Sequence, residues 1–121
     1  MLVGVKYSTA CENTGTSVQL RCEANTKILV NKAEYGRDEF TTACGDFLHD
    51  TSCFSDVTEI VKNQCGNMQN CDIKASNGVF PDPCVGYTKL LRVWYQCVGD
   101  GIFYLHSKFI IVIKYKLIFK L

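Results

Sequence analysis

Residues 77–97 read NGVFPDPCVGYTKLLRVWYQC, and the two halves of this stretch call for different backbones. The chain has two prolines, Pro81 and Pro83, and both flank Asp82. Proline fixes its own φ and pushes the preceding residue toward extended conformations, so Asp82 has few directions in which to point. Cys84 follows at once, and a covalent tie from it to another part of the chain would make the segment a rigid bracket that presents one carboxylate to solvent. Such a bracket suits a small polar ligand. From Lys89 onward the pattern changes to alternation. Leu91, Val93, Tyr95 and Cys97 fall on one side and Leu90, Arg92, Trp94 and Gln96 on the other, which predicts a strand anchored to the core by Cys97.

Working outward, "SVQLRCEANTKILVN" places Val18, Leu20 and Cys22 in alternation and predicts two strands around a turn near Ala24 to Thr26, the second running Lys27 to Asn31. "SDVTEIVKNQCGN" predicts the one main helix, about 56–65. Ser55 is read as its N-cap, Asp56 and Glu59 occupy the first turns, Val57, Ile60 and Val61 share a face, and Gly66 ends it. The fold class expected is a small α+β domain of antiparallel strands, one helix and long ordered loops.

A chain of 121 residues is long enough for one domain with a modest core, and a net charge of +1 gives no reason to invoke nucleic acid or an anionic membrane. The charge is unevenly spread. Ahead of Asp100 the body holds nine Lys and Arg against eleven Asp and Glu, whereas the tail carries Lys108, Lys114, Lys116 and Lys120. Eight cysteines, Cys11, Cys22, Cys44, Cys53, Cys65, Cys71, Cys84 and Cys97, point to a disulfide framework in an oxidising compartment, and so to a secreted or extracellular protein, with a reduced cytosolic protein of buried thiols as the weaker alternative. Zinc sites favour ligand pairs two to four residues apart, and here the closest pair, Cys65 and Cys71, has five between. No metal and no cofactor are therefore expected. "MLVGVKYSTACE" has no apolar run of signal-peptide length, since Lys6 interrupts it, and no N-x-Ser/Thr acceptor occurs. The tail from Gly101 is interrupted too often by Lys to span a bilayer. It is expected to be an extension outside the domain, with a strand or a membrane-surface anchor as the alternative.

The cysteines, "CEN" at Cys11, "YGR" at Tyr35, "SNGVFPDPC" at Ser76 and "YTKLLRVWYQC" at Tyr87 together resemble the rhamnose-binding lectin family, the sea-urchin-egg-lectin type of galactose-binding domain also found in latrophilin receptors. The resemblance covers Ala10 to Val98, which implies an N-terminal extension at 1–9, a lectin domain at 10–98 and a C-terminal extension at 99–121. It implies the disulfides Cys11–Cys44, Cys22–Cys97, Cys53–Cys84 and Cys65–Cys71, a choice that cysteine spacing alone does not make among 105 pairings. It also implies a sugar site at Glu12, Tyr35, Asp82 and Lys89, with Asn77 as a fifth member. Two departures stand out. Pro81 takes a place where Gly is common, and Tyr87-Thr88-Lys89-Leu90 stands where Thr-Tyr-Lys-Tyr is common.

A sugar's vicinal hydroxyls donate and accept at once, so carboxylates and an ammonium can bind them through charge-assisted bonds. Tyr35 is expected to offer a ring face and a hydroxyl. Taken singly, each residue has a plainer reading: Glu12 exposed, Asp82 capping a turn, Lys89 solvated, Tyr35 in the core. Gly36 is read as permitting a positive φ, Arg37 as pairing with a nearby acid, and Trp94 as core packing ahead of a stacking role. His49 and His106 have no cysteine or serine partner at catalytic spacing, and the cysteines are committed to bridges, so no enzyme is expected. Glu12 and Asp82 as a glycosidase pair would need a substrate cleft for which the chain is short. The function expected is metal-independent binding of L-rhamnose or terminal galactose. The alternatives are an extracellular protein-interaction module on the same scaffold and, behind it, a secreted inhibitor or toxin-like scaffold.

Overall fold

A computed structural model describes residues 4–37, 44 and 52–99 in full, and the backbone alone of three strands within 102–119. The element order is β1 (Lys6–Cys11), β2 (Ser17–Arg21), β3 (Thr26–Arg37), β4 (Cys53–Asp56), α1 (Thr58–Cys65), β5 (Asn70–Lys74), β6 (Leu90–Gly99), then β7 (Ile102–Leu105), β8 (Lys108–Ile113) and β9 (Lys116–Phe119). An antiparallel sheet runs β1-β6-β3-β4, β2 pairs with β5, and β7-β8-β9 form a third sheet. The core lies between the inner face of the first sheet, the β2-β5 ribbon and α1. It contains Leu91, Val93, Tyr95 and Cys97 of β6 together with Val18, Leu20, Ile73 and Val61. The alternation read from the sequence for β6 is observed from Leu91 to Cys97, with Arg92, Trp94 and Gln96 half-buried on the opposite face, whereas Leu90, read onto that face, is buried. Four disulfides, Cys11–Cys44, Cys22–Cys97, Cys53–Cys84 and Cys65–Cys71, tie these elements together.

Both strands read around the Glu23–Thr26 turn are present, and each pairs elsewhere: β2 lies on β5, with Val18 opposite Ile73 and Leu20 opposite Cys71, while β3 is central in the larger sheet. Two local expectations are corrected. β3 continues past Asn31 to Arg37. A bulge between Val30 and Lys32 shifts the buried parity from Ile28 and Val30 to Ala33 and Tyr35, so a simple two-residue period loses the strand there. Finally, Ser55 is not a cap but a strand residue opposite Tyr35. The helix entry is held instead by Asp56, whose Oδ1 accepts from the Thr58 N–H at 2.9 Å and its hydroxyl at 2.5 Å. These two hydrogen bonds hold the Asp56 carboxyl below its ordinary range, against a smaller opposing effect of burial.

Gly36 has an ordinary φ, and its need for glycine comes from packing. A Cβ placed there would stand 1.9 Å from the Cys53 carbonyl oxygen, so the missing side chain is what lets β4 lie against β3.

Candidate functional site

The site forms where β1 and β6 run out together. Cys11 pairs with Leu90, and the ladder extends one residue further through a bond from the Glu12 N–H to the Lys89 carbonyl at 2.8 Å. Glu12 and Lys89 are thereby set side by side although 77 residues separate them in the chain. Glu12 Oε1 accepts from the Lys89 backbone N–H at 3.0 Å and from Lys89 Nζ at 3.2 Å. The same ammonium reaches Asp82 Oδ1 at 3.0 Å and the Cys84 carbonyl at 3.3 Å. Its three N–H donors thus have three acceptors, which is how a Lys side chain with 3% exposure is accommodated.

Asp82 is oriented from both sides of the bracket. Its Oδ1 accepts the Cys84 N–H at 2.9 Å, and Cys84 is joined to Cys53 at the start of β4. The bond from the Lys89 ammonium is the largest influence holding the Asp82 carboxyl below its usual range, aided by the Cys84 N–H and opposed by partial desolvation. With 23% of its side chain exposed, Asp82 is the member of the triad that meets solvent.

Tyr35 and Asn77 make a second, adjoining pair. The Tyr35 hydroxyl donates to Asn77 Oδ1 at 2.7 Å, and its ring packs on Phe80 with centroids 5.1 Å apart. Burial first, then the charge and hydrogen bonding of Glu12 and the charge of Asp82, push the phenol well above its ordinary range, so it is a neutral donor at every ordinary pH. The ring is fully buried, which corrects the expectation of an open face. Asn77 is exposed, and with its carbonyl engaged its amide N–H groups remain the polar atoms it can turn outward. All five candidate residues therefore gather at one end of the sheet: Glu12, Lys89 and Tyr35 lie inside, and Asp82 and Asn77 at the surface.

Two neighbours behave differently from expectation. Arg37, almost fully buried, donates from Nη1 to the Thr88 carbonyl at 2.9 Å, its bonded partner among the described residues, and so steadies the backbone just ahead of Lys89. Trp94 is not core. It sits half-buried on the outer sheet face, 5.1 Å from the exposed Tyr7 ring and 5.5 Å from the Arg92 guanidinium. The Cys84 carbonyl is a site atom that residue-type reasoning missed, because backbone acceptors leave no mark in a sequence. His49 and His106 lie outside the described residues. Among the described residues, no three His, Cys, Asp or Glu side chains cluster as a metal site would require, and no helix is long and apolar enough to cross a membrane.

The profile of the D-galactoside/L-rhamnose binding SUEL lectin domain matches residues 20–97 of this chain. The chain belongs to the SUEL lectin family. Among its relatives are the adhesion G protein-coupled receptor L1 of Mus musculus, 37% identical over 92 residues, and the L-rhamnose-binding lectin SML of Scomberomorus niphonius, 38% identical over 95 residues. These matches take in 74% and 75% of this chain but 6% of the receptor and 46% of the fish lectin, so the chain spans less than half of either relative. The SUEL lectin family is carbohydrate-binding and non-enzymatic. The SUEL lectin profile begins after β1, yet Glu12, which follows β1 directly, is bonded to Lys89 inside the matched range.

Proposed function

We propose that this SUEL lectin domain binds a terminal monosaccharide, L-rhamnose or galactose, without a metal, and that it acts outside the cell. The observation that carries this reading is the Lys89 ammonium held between Glu12 Oε1 and Asp82 Oδ1, with only Asp82 reaching solvent. The ammonium supplies the positive charge between the two carboxylates, so their charge is balanced by the chain itself. Asp82 is left as a fixed, ionised acceptor for vicinal hydroxyls, and Asn77 as a donor beside it. A fixed acceptor loses little entropy on binding, which matters for a ligand that offers little area. Glu12 and Lys89 act by positioning Asp82, and Tyr35 by positioning Asn77. Asp82 held ionised is the opposite of what a glycosidase general acid needs.

Isothermal titration with L-rhamnose and galactose tests the assignment, with circular dichroism as the fold control. A dissociation constant on the order of 10 μM to 1 mM is expected for one small-ligand site. Asp82→Asn should weaken binding by about tenfold or more, the loss of one charge-assisted bond, with the fold retained. Excess EDTA should change nothing. Wild-type affinity in Asp82→Asn, or binding that EDTA abolishes and calcium restores, would sink the reading.

A second reading has one observation in its favour. Tyr7, Trp94 and Arg92 share the outer sheet face, and these residue types are enriched at the energetic centres of protein interfaces. A protein-interaction module would use that face, and Trp94→Ala would then abolish partner binding while leaving sugar titrations intact.

A further inference from the structure

We propose that the turn between Asp82 and Lys89 is an apolar lip on the sugar site, which receives an aryl aglycone attached to the bound terminal sugar. This rests on the lectin reading above. The large apolar side chains exposed among the described residues are Val5, Tyr7, Met68, Val79, Val85 and Tyr87, and the last three fall within the short segment that also carries Asn77, Asp82 and Lys89. Val85 is 83% exposed and Tyr87 43%. Single exposed apolar residues are ordinary, but turns favour polar residues, and a run of Val-Gly-Tyr at a turn beside a charged notch is not what solubility alone would select.

The turn is built to stay where it is. The Tyr87 N–H donates to the Cys84 carbonyl at 3.1 Å, and Gly86 takes the positive φ of 88° that this turn requires. The same Cys84 carbonyl accepts from Lys89 Nζ, so a single oxygen joins the lip to the ammonium that orients Asp82. A Cβ added at Gly86 would meet nothing within 4 Å, which places the tip of the turn in open space. Sugar sites combine few polar groups with apolar surroundings. Here Asp82 and Asn77 supply the polar groups, and Val85 and Tyr87 are exposed apolar side chains of the turn whose Cys84 carbonyl holds the Lys89 ammonium.

Titrating the full chain with methyl α-L-rhamnoside and with 4-nitrophenyl α-L-rhamnoside, and with the matching pair of galactosides, tests the lip. The aryl glycoside of the sugar that binds is expected to bind about fivefold tighter than its methyl glycoside, the scale of one aromatic contact. Tyr87→Ala combined with Val85→Ser should abolish that preference and leave the methyl glycoside within about twofold of wild type. Tyr87→Phe, which keeps the ring, should retain it. Asp82→Asn should weaken both glycosides alike. Equal wild-type affinities for the two glycosides, or an aryl preference that survives the double substitution, would overturn the lip and leave the lectin reading standing. Failure of wild type to bind any of the four glycosides would overturn both.

Discussion

Lys89 shows how burial divides labour within the candidate site. An ammonium with three acceptors and almost no exposure is an internal strut, and removing it leaves Glu12 buried without its counter-charge. Breaking such a pair costs far more than the pair's net contribution, roughly 3 to 5 kcal/mol. Lys89→Met is therefore expected to lower stability by about 3 kcal/mol as well as to abolish sugar binding, whereas Asp82→Asn should affect binding chiefly. Denaturant titrations of the two variants separate these outcomes. The pH dependence follows from directions already given. The Asp82 carboxyl is held below its ordinary 3.8, so what its ionised form contributes is complete above that value and is lost as pH falls below it. Tyr35 is shifted upward from 10.0, so its contribution is complete below pH 10 and is lost as pH rises beyond it. Binding should be flat across neutral pH and fall only below about pH 4. A midpoint near pH 6 would mean that another group controls the site.

At the scale of elements, β3 joins the core to the site, since it carries Tyr35 and also Gly36, on which β4 rests. Gly36→Ala would drive a methyl group into the Cys53 carbonyl and the Phe54 Cα, backbone atoms with no flexible side chain to yield. It is expected to destabilise by about 3 kcal/mol or more and to disturb Asp82 through the Cys53–Cys84 bridge; thermal unfolding checks the first effect and sugar titration the second. How far the sequence could be read follows the same elements. β6 was legible because its alternation is unbroken from Leu91 to Cys97. β3 was legible only to Asn31, where the bulge changes which parity is buried. The β2-β5 pairing was hidden, because alternation tells which face of a strand is buried and not which strand lies beside it. In the site, the proline bracket announced Asp82. The burial of Glu12 and Lys89 did not show, since charged residues are exposed by default and nothing local says that the residue after Cys11 meets the residue before Leu90. The disulfide pairing, too, was accessible only through resemblance to a family.

For the whole molecule, the question is which parts of the chain the fold requires. A small domain draws on its bridges: the Cys22–Cys97 disulfide spans 75 residues, and closing a loop of that size restricts the unfolded chain by about 4 kcal/mol, a large share of the 5 to 15 kcal/mol typical of a domain. Its position at the junction of β2 and β6 makes Cys97 the last residue that closes the core, and the β3-β6 ladder ends shortly after, with Gly99 opposite Thr26. Beyond that, β7, β8 and β9 pair with one another and with no other described strand. We therefore expect a chain ending at Gly99 to keep the four disulfides, the sheet and the sugar affinity, and to be more soluble, since an apolar, β-prone segment is removed. Reduction of the same truncated chain should unfold it and abolish binding. Circular dichroism, free-thiol counting and rhamnose titration of the truncated and full chains distinguish the cases. If the truncated chain loses its near-ultraviolet signal while all eight cysteines remain paired, the tail is part of the fold, and the domain boundary drawn here at residue 98 is wrong.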